Sequence, residues 1–211
     1  MMKQLMKLAL CVAALPLAAC SSLGGEDGYG LGDYLLVRVH RVNVGDGGMS
    51  VVAPRPWNER RRSILFDDVR EVEDWTLDGP ILDGISFVSG MKSGRYLIRQ
   101  RKSADQQVPK FRSDMTPPEI AAMLESLYRV RGGAVEFHTL SLQPRPFLGA
   151  NGFQLDYEHL DGDELWRKGR AVGAVIDGHL YLILFDAARS HYYGTILPDF
   201  ESIVASARLR R

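Results

Sequence analysis

Residues 171–185 read Ala-Val-Gly-Ala-Val-Ile-Asp177-Gly178-His-Leu-Tyr-Leu-Ile-Leu-Phe185. Two apolar runs, 171–176 and 179–185, flank an Asp-Gly pair. That pair tolerates positive φ at both central positions of a two-residue turn, so the stretch predicts a β-hairpin. Residues 180–185 are apolar at every position. A strand that is apolar on both faces belongs in the middle of a sheet covered on both sides.

Strand signals continue outward from this hairpin. Residues 135–142 and 152–160 alternate, and Asp161-Gly162-Asp163 turns the chain into a short run at 165–168. Near the start, residues 34–44 alternate with Leu35, Val37 and Val39 on one face. Val42 and Val44 have the opposite parity, which predicts a bulge or bend at His40-Arg41. Gly45-Asp-Gly-Gly48 turns the chain, 49–53 returns as a partner strand, and Pro54 and Pro56 end it. Further strands are expected at 69–76, 85–89 and 94–100. Two helices are signposted. Thr116-Pro117-Pro118-Glu119 is a capping box with proline at the first helical position. Ile120, Met123, Leu124, Leu127 and Tyr128 follow at helical spacing until Gly132-Gly133. The tail, 198–208, carries Phe200, Ile203, Val204 and Ala207 on one stripe. The expectation is a single α+β domain over residues 33–209, with an antiparallel sheet packed against two or more helices.

The segment before it reads as an address. Lys3 and Lys7 precede a ten-residue run, 8–17, broken only by Pro16. As a helix it rises about 15 Å, half of a bilayer core, so a cleaved signal at 1–19 fits better than a span. Leu17-Ala18-Ala19-Cys20 resembles the lipobox of bacterial lipoproteins. That resemblance implies recognition of Leu17, Ala18 and Ala19 by a signal peptidase and a diacylglyceryl group on the Cys20 thiol. Two or three acyl chains make a lasting anchor where one is marginal. Ser21 and Ser22 follow the cysteine, and the sorting rules of such proteins then favour the outer membrane, at its periplasmic face. Residues 20–32 hold five glycines and read as a flexible tether, with a root-mean-square reach of about 20 Å.

Composition narrows the function classes. The 211 residues carry 26 basic and 26 acidic side chains, with 45% apolar and 25% charged residues. That balance is too neutral for a dedicated nucleic-acid binder and too apolar for a disordered chain. Cys11 and Cys20 are the two cysteines, which excludes a disulfide scaffold or a cysteine zinc site. Removing residues 1–19 takes away Lys3 and Lys7 and leaves 24 basic against 26 acidic residues.

The order from residue 114 onward is capped helix, strand, Gly152-Phe153 strand, hairpin, apolar strand, His191-Tyr192-Tyr193 turn and closing helix with Phe200-Glu-Ser-Ile-Val-Ala-Ser206. Over residues 114–208 this is similar to small proteins with the fold of PsbP, an extrinsic protein of photosystem II. The whole chain resembles lipoproteins of Gram-negative bacteria. The likeness implies a fold and transfers no functional residue, because no metal or partner contact of the family matches a position here.

Catalytic patterns are sparse. There is no Gly-x-Ser-x-Gly and no phosphate-binding Gly-rich loop. Ser89-Gly-Met-Lys92 matches Ser-x-x-Lys without its companion motifs. The five histidines, His40, His138, His159, His179 and His191, lack the helical spacing of a metal pair. His138 and His159 lie on strands that can be neighbours. Charge is uneven along the chain: residues 67–83 hold seven acids against Arg70, and residues 89–112 seven bases against Asp105. Residues 101–116 read as a mobile loop. Trp57 with Arg60, Arg61 and Arg62, and Arg99 with Arg101 and Lys102, form the candidate binding surface. The expected role is a lipid-anchored, non-enzymatic binding or assembly module without cofactor. Its partners would be the membrane, through Cys20, and an envelope protein or anionic envelope component. A hydrolase built on His191, Asp186 or His159 is the alternative, and it requires those side chains to converge in one cleft. A small-ligand or lipid carrier is a third.

Overall fold

Asp177 and Gly178 hold φ of 50° and 74°, the positive pair that a type I′ turn requires. They join β9 (Trp166–Ile176) to β10 (His179–Ala188) in register, His179 opposite Ile176 and Ala188 opposite Arg167. This computed structural model describes residues 34–45, 48–61, 69–100 and 107–210. The signal segment, the tether, Asp46, Arg62, Arg101 and Lys102 lie outside them.

The hairpin is the centre of an eight-stranded antiparallel sheet. Its other strands are β1 (Tyr34–Val37), β4 (Trp57–Arg60), β5 (Val72–Thr76), β6 (Asp83–Lys92), β7 (Glu136–Pro144) and β8 (Phe153–Leu160). The order is β1-β4-β5-β6-β10-β9-β8-β7. A second sheet, β11-β3-β2, is formed by β2 (Arg41–Val44), β3 (Met49–Val52) and β11 (Arg208–Leu209). The helices are α1 (Pro117–Arg131) and α2 (Tyr192–Ser206). All of them belong to one compact unit, Gly32–Arg211.

Both faces of β10 are buried, as its composition predicts. Leu180, Leu182 and Leu184 pack with Ile120, Met123, Leu124 and Leu127 of α1. Ile183, Phe185 and Ala187 pack with Ile196, Phe200 and Ile203 of α2 and with Val44, Met49 and Val51 of the small sheet. The sheet is thus the middle of three layers. A bulge at Gly90 (φ 76°) shifts the β6–β10 register between Leu180 and Tyr181. Were Gly90 paired in regular alternation, Met91 would share the face of Ile85 and Phe87; because Gly90 is bulged out of register, Met91 enters the α1 core.

The parity change at His40-Arg41 has a larger consequence than a bulge. There the chain leaves the edge of the large sheet and enters the small one. Other expectations need correction. Residues 94–100 form no strand; they fold against residues 107–116, Gly94 donating to Phe111 O at 2.8 Å and Phe111 to Arg95 O at 2.8 Å. The Gln100 amide clamps Val108 in both directions, at 2.8 and 2.7 Å. Val108, Phe111 and Met115 are buried against α1, so this part of the expected mobile loop is packed structure. Strand β4 escaped prediction. Helix α2 starts six residues earlier than expected and contains Pro198, because Tyr193 and Ile196 extend the stripe of Phe200 and Ile203. The last expected helical residue, Arg208, instead pairs with Ser50, and Leu209 pairs with Met49.

Candidate functional site

Three strands bring the strongest concentration of ionisable groups into the α1 side of the sheet. In register, His159 of β8 lies opposite Arg167 of β9, and Gly169 lies between Tyr157 and Asp186. His159 Nε2 is 2.9 Å from Asp186 Oδ2. Arg167 Nε donates to Asp186 Oδ1, its Nη1 donates to the Ile81 carbonyl, and its Nη2 donates to the Asp186 carbonyl at 3.4 Å. The His159 side chain is 2% exposed and that of Arg167 8%. Burial would raise Asp186, but the charge of Arg167 and the contact with His159 outweigh it and hold the carboxyl below its usual range. For Arg167, burial works against the charge and Asp186 more than offsets it. The result is an ionised Asp186 held between Arg167 and His159.

Aromatic rings line this cluster. Tyr128 of α1 lies 4.7 Å from the His159 ring by centroid, and Phe137 stacks on Tyr157 at 5.2 Å. The Tyr128 and Tyr157 hydroxyls are hydrogen-bonded to one another, and Tyr157 also donates to Phe185 O at 3.2 Å. Burial pushes both phenols far up. A Cβ at Gly169 would overlap the Tyr157 ring; the glycine is what lets that ring lie across β9. His159 Nδ1 is buried without a partner.

Of the three proposed catalytic groups, His159 and Asp186 therefore meet, with His159 buried and Asp186 15% exposed. His191 stands elsewhere, exposed at the start of α2 with φ 68°, its ring edge-on to Tyr192 at 5.3 Å. His138 does not meet His159. It lies opposite Glu158 and stacks on Trp166 at 6.0 Å, while Phe137 takes the place opposite His159. Arg167 was missed from sequence. Its parity with Gly169 and Ala171, both inward residues, was the available signal for a buried charge.

A second network lies on the α2 side. Arg170 donates to Asp156 and to Glu201, each at 2.6 Å. Arg145 donates to Glu201 at 2.6 Å and to Gln154 Oε1 at 2.8 Å. Burial would raise Asp156 and Glu201, but their arginine partners bring both below the ordinary range. Two arginines and two carboxylates neutralise each other, so this network ties α2 to β8 and β9.

Trp57 is not available to the expected aromatic and basic binding surface. Trp57 is fully buried in the α2 core, opposite Val37 in register. As the first residue of β4 it faces inward, where its large ring removes the most apolar area from water. Arg60 and Arg61 are exposed, as is Arg99; Arg62, Arg101 and Lys102 fall outside the described residues. The acidic and basic blocks partly serve each other and partly serve the core. Arg95 reaches Glu71 at 3.5 Å. Glu73 accepts from Gly45 N and Trp75 Nε1, both at 2.8 Å, and Asp83 accepts from Leu77 N and Asp78 N at 2.7 and 2.8 Å.

No protein-family model matches the chain, and no curated protein sequence is significantly similar to it. Among solved structures, cyanobacterial PsbP (CyanoP) from Synechocystis sp. PCC 6803 superposes with a TM-score of 0.53 at 16% identity, over 89% of this chain and 99% of that one. The chain thus has a PsbP-like α+β fold, and the likeness extends beyond residues 114–208 into the N-terminal strands. LpqN of Mycobacterium tuberculosis, described as involved in cell envelope biogenesis, aligns at 12% identity over 84% of this chain and 92% of that one. Its TM-score of 0.36 is too low to carry an inference.

Proposed function

We propose that this protein is a lipid-anchored envelope protein that acts as a non-enzymatic binding or assembly module at the periplasmic face of the outer membrane. The observation that carries this reading is Leu17-Ala18-Ala19-Cys20, placed directly after a basic start and a short apolar run. In it Cys20 carries the acyl chains and residues 20–32 hold the folded unit near the membrane. The partner is an envelope protein or an anionic envelope component. Support for a non-enzymatic role comes from the use made of the acid–base groups. Asp186 is bound by Arg167 and His159, and Asp156 and Glu201 are bound by arginines that hold α2.

The anchor is tested by labelling cells with a palmitate analogue. The wild type takes up label and fractionates with membranes; Cys20→Ala loses both. A Cys20→Ala protein that stays on membranes sinks the anchor. The module role is tested by crosslinking in the cell followed by affinity capture. A discrete envelope partner is the expected product, and a wild type that yields none overturns that part of the reading.

A further inference from the structure

An antiparallel sheet satisfies its backbone everywhere except along its two outer strands, and proteins blunt such edges with charge, proline or a broken register. The two ends of the eight-stranded sheet differ in this. β7 is blunted three times. Glu136 and His138 are exposed along it, its register shifts between Thr139 and Ser141, and Pro144 ends it. β1, at the other end, has none of these devices. Tyr34-Leu35-Leu36-Val37 contains no charge and no proline, and it pairs with β4 in unbroken register. β4 is its one neighbour in the sheet.

The side chains of β1 point the same way. Leu35 and Leu36 project from opposite faces of the strand. Both are exposed, Leu36 at 61% and Leu35 at 43%, and neither core layer includes them. A strand added beside β1 covers apolar surface on both faces while it pairs the open backbone edge.

We propose that the added strand is β1 of a second copy of this chain, antiparallel and centred on Leu36. In this register Leu36 lies opposite its own counterpart, Leu35 opposite Val37 and Tyr34 opposite Arg38 of the second copy. Opposed residues share a face, so aliphatic meets aliphatic on both faces, and a ring meets a guanidinium at each end. The tether favours a second copy as the occupant. This register sets the first residues of the two strands about 14 Å apart, and residues 20–33 lead from each to its lipid. A tether reach of about 20 Å lets one membrane hold both. In this the inference rests on the anchor reading. A four-residue strand falls well short of the roughly 1,600 Å² of a standard stable interface. Short tethers in one membrane raise the effective concentration toward the millimolar range, where so small a contact is populated.

Disulfide trapping reads both the pairing and its register. The chain of residues 20–211 with Cys20→Ser has no other cysteine, so one introduced thiol is the sole crosslinking group. Leu36→Cys sets the two Cα atoms about 5 Å apart, inside the range of a disulfide, and Leu35→Cys sets them about 8 Å apart, outside it. At about 1 mM protein, mild oxidation of Leu36→Cys should give a two-chain product. It should form about tenfold faster than with Leu35→Cys, or with Leu140→Cys on β7, which is 48% exposed. In cells, the palmitate-labelled full chain with Leu36→Cys should give the same product. Circular dichroism confirms that each variant folds. Equal rates for Leu36→Cys and Leu35→Cys indicate random collision and overturn the proposal. So does a Leu36→Cys chain that gives no two-chain product, or a labelled chain whose product contains a different protein. The concentrated chain lacks the anchor, so failed trapping there refutes the pair whatever the labelling shows. Trapping there with failed labelling refutes the anchor and keeps the pair.

Discussion

Replacing Asp186 by Asn leaves the Arg167 guanidinium buried with only carbonyl partners, and an uncompensated buried charge is expensive. The expected loss is about 3 kcal/mol, read from urea titrations. Its pH dependence identifies the cause. Arg167 and His159 hold Asp186 below its unfolded value despite burial. Such a group contributes stability above the unfolded pKa of about 3.9 and loses it as pH falls through the lower folded value. The gap between wild type and Asp186→Asn is therefore full at neutral pH and closes in strong acid; a gap that persists there refutes the ion-pair account. Gly169→Ala tests the neighbouring packing. Its methyl group would displace the Tyr157 ring, and overpacking of this kind costs about 2 kcal/mol. Tyrosine near-ultraviolet dichroism should change with it.

At the scale of elements, α2 is held by two devices of unequal strength. Phe200 is fully buried between Phe185 and Ile203, and Phe200→Ala should cost about 4 kcal/mol. Glu201 joins Arg145 and Arg170 but is a third exposed, so water screens the pair and Glu201→Gln should cost only about 1 kcal/mol. Thermal unfolding of the two variants decides between apolar and ionic anchoring. The legibility of elements follows the same division. The β9–β10 hairpin and α1 were readable because turn chemistry and apolar period agree within a dozen residues. Strand β4 was not, since Trp57-Asn-Glu-Arg60 pairs with distant β1 and β5 and its composition resembles a basic surface. The same distance hid the candidate site. His159 and Asp186 were singled out from sequence, yet Arg167, whose charge holds the Asp186 carboxyl below its usual range, is recognisable only once β9 runs unbroken from Trp166 to Ile176. Trp57 misled for the complementary reason: one tryptophan beside three arginines reads alike whether the ring faces water or the core.

The whole molecule has two apolar layers that share one strand. Leu182 belongs to the α1 layer and Ile183, the next residue, to the α2 layer. Were the layers independent, each could melt alone. They are not, because β10 carries both and pairs with β6 and β9 along its length. Losing either layer exposes one face of the central strand, and the cost reaches the other layer through the same backbone. Leu182→Ala and Ile183→Ala should each lower stability by about 3 kcal/mol and shift one common transition. Trp57 and Trp75 report on the α2 layer, and hydrogen exchange of α1 amides reports on the other. For each variant the two probes should give the same urea midpoint. Separate midpoints, with Leu182→Ala moving only the α1 signal, would mean that the sheet divides the protein into two folding units instead of joining it into one.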